Sequence, residues 1–356
     1  MQKKLIALAV AGLVSAPAFA QSNVTIYGVA DAYMGFGSQG DNDMSAVNSG
    51  GLAGSRIGFR GAEDLGNGLK AVFTYEHGVS IDGNDGLGET LVRQQFVGLA
   101  GGFGSVTLGR LYAPGYDHIA DSFGSSGILS PQSILAGDIG ASIDAGSGSR
   151  WSNSVAYNGE FSGLKVRGIY SMDGNETTSF DTAGNVTADP EDDDAYGLGL
   201  DYSNGPLRVV AAYQVLQADE DQKEWTVGAS YNFGILTLAA NYQDAKSLGN
   251  IEDNDADIWQ VGVVVPVGAA GNVHLGYGEA DVDFANPAVD GKAKSYSIAY
   301  THALSKRTTL YTGFNRTDND NGLGLGVVGH QSGKNVGTLA AGDESDVFAV
   351  GVNHKF

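Results

Sequence analysis

The chain has 356 residues, of which 42% are apolar, with 54 glycines, no cysteine and a formal net charge of −21. So acidic a chain is not expected to bind nucleic acid, because phosphate contacts need positive charge. Without cysteine, its stability must come from a large core or an ordered sheet and not from disulfides.

The first 20 residues have the features of a secretory signal peptide. Lys3 and Lys4 are followed by an apolar stretch at 5–14 and then by Ala18-Phe19-Ala20. This is the usual order of charged, apolar and small residues in such a signal. We therefore predict that residues 1–20 are a signal peptide, in preference to an N-terminal helix of a soluble fold, and that the mature chain starts at Gln21.

Beyond residue 20 the sequence favours strands over membrane-spanning helices. The longest apolar run, 261–270, is interrupted by Pro266 and is shorter than the roughly 20 residues that a spanning helix needs. Apolar and polar residues instead alternate in segments of about 9–11 residues, the length of a tilted membrane strand. We predict about sixteen strands, at 24–34, 55–62, 69–79, 91–99, 106–112, 151–157, 164–172, 196–202, 207–216, 225–233, 236–244, 258–265, 273–281, 295–301, 309–317 and 347–356.

The last strand and the connections predict a closed sheet. A strand at a chain end frays unless both its neighbours hold it, as they do when a sheet closes on itself. Short glycine-rich turns such as 64–68 and 101–104 alternate with long loops, and this alternation is typical of short periplasmic turns and long extracellular loops. The expected fold is an all-β transmembrane antiparallel barrel, one domain over 21–356. The predicted long loops are 36–53, 80–90, 113–149, 173–194, 246–256 and 318–345.

The charged residues indicate which face of each strand points toward the lumen. A mid-depth arginine or lysine on the lipid face would cost about 2–4 kcal/mol, so the charged row of each strand is expected to face a water-filled lumen. Aromatic residues near strand ends suit the membrane interfaces, whereas in a soluble β-protein they would fill the core. The candidate interfacial residues are Tyr27, Tyr75, Trp151, Tyr170, Trp225, Tyr231, Tyr242, Trp259 and Tyr300.

Several motifs together resemble the general porins of Gram-negative bacteria, in particular the neisserial and other β-proteobacterial outer-membrane porins. The resemblance spans the mature chain. It implies a sixteen-stranded homotrimeric barrel in the bacterial outer membrane, among lipid and lipopolysaccharide, whose third extracellular loop at 113–149 folds inward. It also implies that Phe356 is a signal for the barrel assembly machinery. The motifs are VTIYGVAD at 24–31, SRIGFRG at 55–61, EDLGNGL at 63–69, FVGL at 96–99, LGR at 108–110, LSKRT at 304–308 and VNHKF at 352–356.

Five arginines and several loop acids are candidates for the pore constriction. In similar porins an arginine ladder on the wall faces acids of the infolded loop, and the field across the gap orients polar solutes. Alternatively, some of these arginines neutralise wall carboxylates or bridge subunits. The candidate residues are Arg56, Arg60, Arg93, Arg110, Arg150, Asp117, Asp121 and Asp138.

No motif predicts catalysis or a cofactor. GLGVVG at 324–329 matches G-x-G-x-x-G but lacks the strand before and the helix after it that a dinucleotide site needs. The six histidines are scattered, and neither H-E-x-x-H nor G-x-S-x-G occurs. The acid clusters at 189–194 and 252–257 lack the EF-hand order. We expect neither an enzyme nor a bound metal or cofactor, although these loops could share divalent ions with lipopolysaccharide phosphates.

The predicted function is a channel for passive diffusion of small hydrophilic solutes and ions. The net charge slightly favours cations, because it raises their concentration at the mouths of the channel. One alternative is a surface protein whose long loops bind a ligand or a host component. Another is a sugar-selective channel, which would show aromatic residues along the lumen.

Overall fold

The computed structural model describes residues 23–83, 92–124, 126–144, 150–172, 194–320, 322–327 and 339–356. The predicted signal peptide and parts of several predicted loops lie outside these residues. The strands are β1 Asn23–Gln39, β2 Asn42–Ser49, β3 Arg56–Gly66, β4 Leu69–Gly78, β5 Val92–Gly101, β6 Gly104–Tyr112, β7 Arg150–Phe161, β8 Leu164–Ser171, β9 Ala195–Asn204, β10 Leu207–Leu216, β11 Gln222–Asn232, β12 Thr237–Lys246, β13 Asp255–Val267, β14 Gly271–Asp283, β15 Gly291–Ala303, β16 Thr308–Asn319 and β17 Ser345–Lys355. Within these described ranges, one α-helix, α1, spans Pro131–Asp138. Short 3-10 turns occur at Pro114–Tyr116, Leu248–Asn250 and Pro287–Val289.

The strands form one closed antiparallel barrel. From β3 to β17 each strand pairs with the next in the chain, and β1 closes the ring against β17, with Val29 opposite Lys355. The first half of β1 pairs with β3 and its second half with β2, so these two strands share one position of the wall. The wall therefore has sixteen positions, and the predicted strand count and fold class are confirmed.

The two rims differ in the length of their connections. At one rim, turns such as Asn67-Gly68 join neighbouring strands, and both residues have positive φ values, 52° and 78°, which glycine and asparagine tolerate best. The other rim carries the long connections. The prediction of a loop over 36–53 is wrong, because β1 continues to Gln39 and turns through Gly40 into β2.

The faces follow the predicted alternation. Apolar side chains such as Val24 and Val97, 58% and 59% exposed, point outward, whereas Gln214 and Gln243 on the inner face are fully buried. The prediction of an interfacial position is wrong for two of the aromatic residues, Tyr27 and Trp151. The Tyr27 hydroxyl donates to the inward Glu76. Trp151 is only 5% exposed and packs in a buried cluster with Leu111.

Residues 113–144 contact the inner wall of the barrel at several points. Ser126 donates to the carbonyl of Gly51, and the Gln132 amide donates to Gln243 of β12. Ser130 is the N-cap of helix α1, because its hydroxyl accepts a hydrogen bond from the Ser133 N–H. The helix packs against β13, β14 and β15, so this segment crosses from β6 to the opposite wall. Among the described residues, no helix is long and apolar enough to span a bilayer.

Candidate functional site

A buried carboxylate on β4 organises one part of the inner wall. The Arg93 Nε atom donates to Glu76 Oε1 at 2.8 Å, and Arg56 Nη1 lies 3.8 Å from the same oxygen. The hydroxyls of Tyr27 and Tyr112 also donate to this carboxylate, at 2.9 and 3.1 Å. The contact between Arg93 and Glu76 depends on a bulge in the pairing of β4 with β5, because the register of the two strands shifts at Arg93. Glu76 and Arg93 are 4% and 8% exposed, so solvent screens their charges little.

Two stacked tyrosines extend this cluster to the segment that follows β6. The rings of Tyr112 and Tyr116 stack with centroids 3.9 Å apart. The Arg150 guanidinium lies 5.4 and 5.8 Å from the two ring centroids, and Arg93 Nη2 donates to the Tyr116 hydroxyl at 3.0 Å. Burial opposes ionisation of Tyr116, but the charges of Arg93, Arg56 and Arg150 outweigh burial and lower the pKa of its hydroxyl. We name Arg56, Arg93, Arg150, Glu76, Tyr112 and Tyr116 the arginine cluster; it contains three cations and one acid.

Asp117 lies beside a second pair of arginines that the sequence analysis did not single out. Arg167 of β8 bonds to both carboxylate oxygens at 3.2 Å, and His118 Nδ1 lies 2.8 Å from one of them. Arg208 of β10 donates to the backbone carbonyls of Asp117 and Ile119. Burial opposes ionisation of Asp117, but the bond from His118 and the charges of both arginines lower the pKa of its carboxyl. Both arginines lie on the polar row of their strands, which the alternation of residues could have indicated.

The other two predicted loop acids lie away from the arginine cluster. Asp121 precedes Ser122 and Phe123, which contact β14, and its Oδ1 atom accepts from the Phe123 N–H. Burial raises the pKa of Asp121 to about 6. Asp138, at the end of α1, accepts a hydrogen bond from the N–H of Gly326 at 2.6 Å. The expectation that these acids face the wall arginines is therefore not supported, because the path of the segment after residue 118 leads to the opposite wall.

The placement of Arg110 also differs from the expectation. It pairs with Gln95, and this cross-strand row continues to Tyr75 and Phe59, which are 53% and 41% exposed. Its guanidinium donates to Ser152 Oγ and to the carbonyl of Val92. Since alternate residues of a strand face opposite sides, Arg110 belongs to the outward row, and a role in lining the constriction is not supported.

Arg60 lies on the inner wall, over the ring of Tyr27 at 4.9 Å. It lines a recess of about 480 Å³ that extends from β1 to β8. A neighbouring recess of about 680 Å³ is lined by charged residues of both signs, Lys165, Arg167 and Arg208 with Asp117, Glu160 and Asp201.

Phe356, the predicted assembly signal, lies at the seam where the barrel closes. Its N–H donates to the Gly28 carbonyl and its carbonyl accepts from the Gly28 N–H, both at 3.1 Å. The side chain is 45% exposed. The residue after the last strand thus continues the ladder with β1 and keeps part of its ring accessible.

Comparison with known proteins gives a consistent result. The chain is 34% identical to outer membrane porin protein 32 of Delftia acidovorans over the full length of both chains, and 30% identical to an outer membrane porin of Bordetella pertussis, covering 87% of this chain and 93% of that one. The solved anion-selective porin from Comamonas acidovorans superposes with a TM-score of 0.77 at 31% identity, covering 94% of this chain and 100% of that one. The sequence profile of the Gram-negative porin family matches residues 7–322. The chain therefore belongs to the Gram-negative porins, the channel-forming barrels of the bacterial outer membrane.

Proposed function

We propose that this outer-membrane porin, a passive and non-enzymatic channel for small hydrophilic solutes and ions, favours anions over cations. The observation that carries the proposal is the composition of the arginine cluster, in which Arg56 and Arg93 contact the carboxylate of Glu76 and Arg150 adds a third cation over the rings of Tyr112 and Tyr116. Positive charge that exceeds its buried partner attracts anions and repels cations in a narrow aqueous gap. The structural similarity to an anion-selective porin supports the same preference for anions.

This proposal replaces the slight cation preference that net charge suggests, for which we find no support. Many of the acids that make the chain negative, such as Asp43, Glu252 and Asp253, are exposed at the long-loop rim. Salt screens exposed charges beyond about 8 Å at physiological ionic strength. Arg93 is buried, and Arg56 and Arg150 are half-buried. These cations therefore keep more of their field than the exposed acids, so position outweighs total charge.

The reversal potential across a planar bilayer under a salt gradient tests this selectivity. The reversal potential of the wild-type channel should lie close to the chloride equilibrium potential. Arg150→Gln removes a cation of the arginine cluster and should shift the potential toward the cation side, whereas Glu76→Gln should shift it toward the anion side. Arg307→Gln, in the turn between β15 and β16, is the matched control. A wild-type potential on the cation side, or shifts of the same sign in both cluster variants, would contradict the proposal.

We further propose that the functional unit is a homotrimer. The support is family membership and the similarity of fold to OmpT of Vibrio cholerae, which has been solved in a trimer form, with a TM-score of 0.64 at 15% identity, covering 94% of this chain and 99% of that one. Light scattering of the detergent-solubilised protein should give three times the mass of one chain, and conductance should close in three equal steps. A single step from a monomeric particle would exclude the trimer.

Three further expectations complete the proposal. Residues 1–20 act as a signal peptide, the segment 113–149 narrows the pore, and Phe356 is read by the outer-membrane barrel assembly machinery. The contacts of residues 113–144 with the inner wall support the second, and the accessible ring of Phe356 supports the third. Deleting Phe356 should reduce the amount of barrel in the outer membrane while the purified chain still refolds in detergent.

A further inference from the structure

The recess beside the arginine cluster is apolar on one side. It has a volume of about 480 Å³, within the usual range of about 300–1,000 Å³ for small-molecule sites. Val72, Phe96 and Leu111 form an apolar floor, next to the ring of Tyr112. A lumen that only conducts hydrated ions has no need for such a surface.

Arg60 also lines this recess. Its side chain is exposed, and its guanidinium lies over the Tyr27 ring, 4.9 Å from the centroid. In the part of the chain that the structure describes, no carboxylate or carbonyl accepts a hydrogen bond from Arg60. Stacking on an aromatic ring leaves the in-plane N–H groups of an arginine available, and these groups match a carboxylate in a bidentate geometry.

The second arginine of the recess is already engaged. Arg167 Nε donates to Asn158 at 2.7 Å, and its Nη1 atom binds Asp117. It contributes positive potential to the recess, but its Nε and Nη1 donors are directed at protein acceptors. One available guanidinium beside an apolar floor fits a solute with one carboxylate and one apolar body.

We infer that this recess is a binding site for organic monocarboxylates that carry a ring-sized apolar group. The carboxylate pairs with Arg60 and the apolar group covers Val72 and Phe96, so that water leaves both surfaces. The inference deepens the proposed anion preference and rests on it. It predicts that such anions reside in the channel, whereas chloride and acetate only pass through it.

Block of the chloride current by benzoate in a planar bilayer tests the site. Benzoate should reduce the current saturably, acetate should do so only at much higher concentration, and the neutral analogue benzamide should not block. Arg60→Gln should raise the half-blocking concentration of benzoate about tenfold or more, the usual loss for a charge-assisted hydrogen bond. Val72→Ser should weaken the block by benzoate and leave that by acetate unchanged. Arg307→Gln is the matched control.

The outcomes separate this inference from the proposed selectivity. The reversal potential in chloride alone reports the selectivity, and the benzoate block reports the recess. Anion selectivity together with equal, non-saturable effects of benzoate and acetate would overturn the site and leave the channel proposal standing. Block that persists unchanged in Arg60→Gln, with wild-type conductance and heat-dependent gel mobility confirming the fold, would also overturn it. Cation selectivity in chloride would instead contradict the proposed function.

Discussion

At the scale of single residues, one buried aspartate connects the barrel seam to the long-loop rim. Asp31 of β1 is fully buried and accepts hydrogen bonds from the backbone N–H groups of Gly51, Leu52 and Ala53. The Tyr311 hydroxyl and the Asn353 amide also donate to it, both at 2.7 Å. One carboxylate thus joins β1 to β16, to β17 and to the segment between β2 and β3.

Replacing Asp31 by alanine should therefore destabilise the barrel strongly. The substitution leaves several buried donors without an acceptor, and breaking such a network costs about 3–5 kcal/mol. The temperature at which the folded band disappears on a semi-native gel should fall, and Asp31→Asn, which keeps one carbonyl acceptor, should lie between alanine and wild type. Asp43→Ala, at an exposed position of β2, is the control and should behave as wild type. Equal stability of the Asp31 and Asp43 variants would show that the network contributes little.

At the scale of elements, the anchoring of residues 113–144 should depend on pH through Asp121. Burial raises the pKa of Asp121 to about 6, from an ordinary value of 3.8. A raised pKa means that the folded segment favours the protonated acid, so its contribution to anchoring is complete below about pH 4 and is lost as pH rises through 6. The pKa of Asp117 is lowered, so its contribution to anchoring is lost only as the pH falls below the ordinary pKa of an aspartate. That pH range lies outside the one in which Asp121 titrates.

We therefore expect the open-channel current to be quieter at pH 5 than at pH 7. Asp121→Asn should stay quiet at both values, because its amide does not ionise. His274 of β14 is a titratable residue that contacts the Ser122 carbonyl, so His274→Gln is the necessary comparison. Noise that still rises with pH in Asp121→Asn and no longer does so in His274→Gln would assign the effect to the histidine.

Among the elements, the strands could be predicted from sequence more completely than the bulge and the long loop. The strands were predictable, because one lipid face and one aqueous face impose a period of two on every strand. The contact of Arg93 with Glu76 depends on a bulge that the sequence pattern does not indicate. The row of Arg110 could not be predicted, since it is fixed only by pairing with Gln95. The position of Asp138 could not be predicted either, because the path of a long loop follows from tertiary contacts and not from local pattern.

At the scale of the whole molecule, the outer surface is divided into two parts. Each strand from β8 to β15 carries one tyrosine or tryptophan on the outward row of its long-loop half, as expected where strands meet lipid headgroups. On β5 and β6 the corresponding residues are Gln95 and Arg110, and the Gln95 amide lies 3.0 Å from His77 Nε2. The aromatic residues of the first part are Tyr170, Tyr196, Tyr213, Trp225, Tyr242, Trp259, Tyr277 and Tyr296.

Gln95 and Arg110 place polar side chains where the strands from β8 to β15 carry aromatic ones. Such a polar pair is better suited to a protein neighbour than to lipid, so we expect it to lie between subunits of the proposed trimer. Arg110→Ala should then lower the temperature at which the trimer dissociates, by removing hydrogen-bond donors from a contact that excludes lipid. It should leave the reversal potential unchanged, because Arg110 does not belong to the arginine cluster. Arg150→Gln should show the reverse pattern, with altered selectivity and a trimer of wild-type stability. If Arg110→Ala changed selectivity and not dissociation, the register argument for its outward position would be wrong, and Arg110 would return to the wall of the pore.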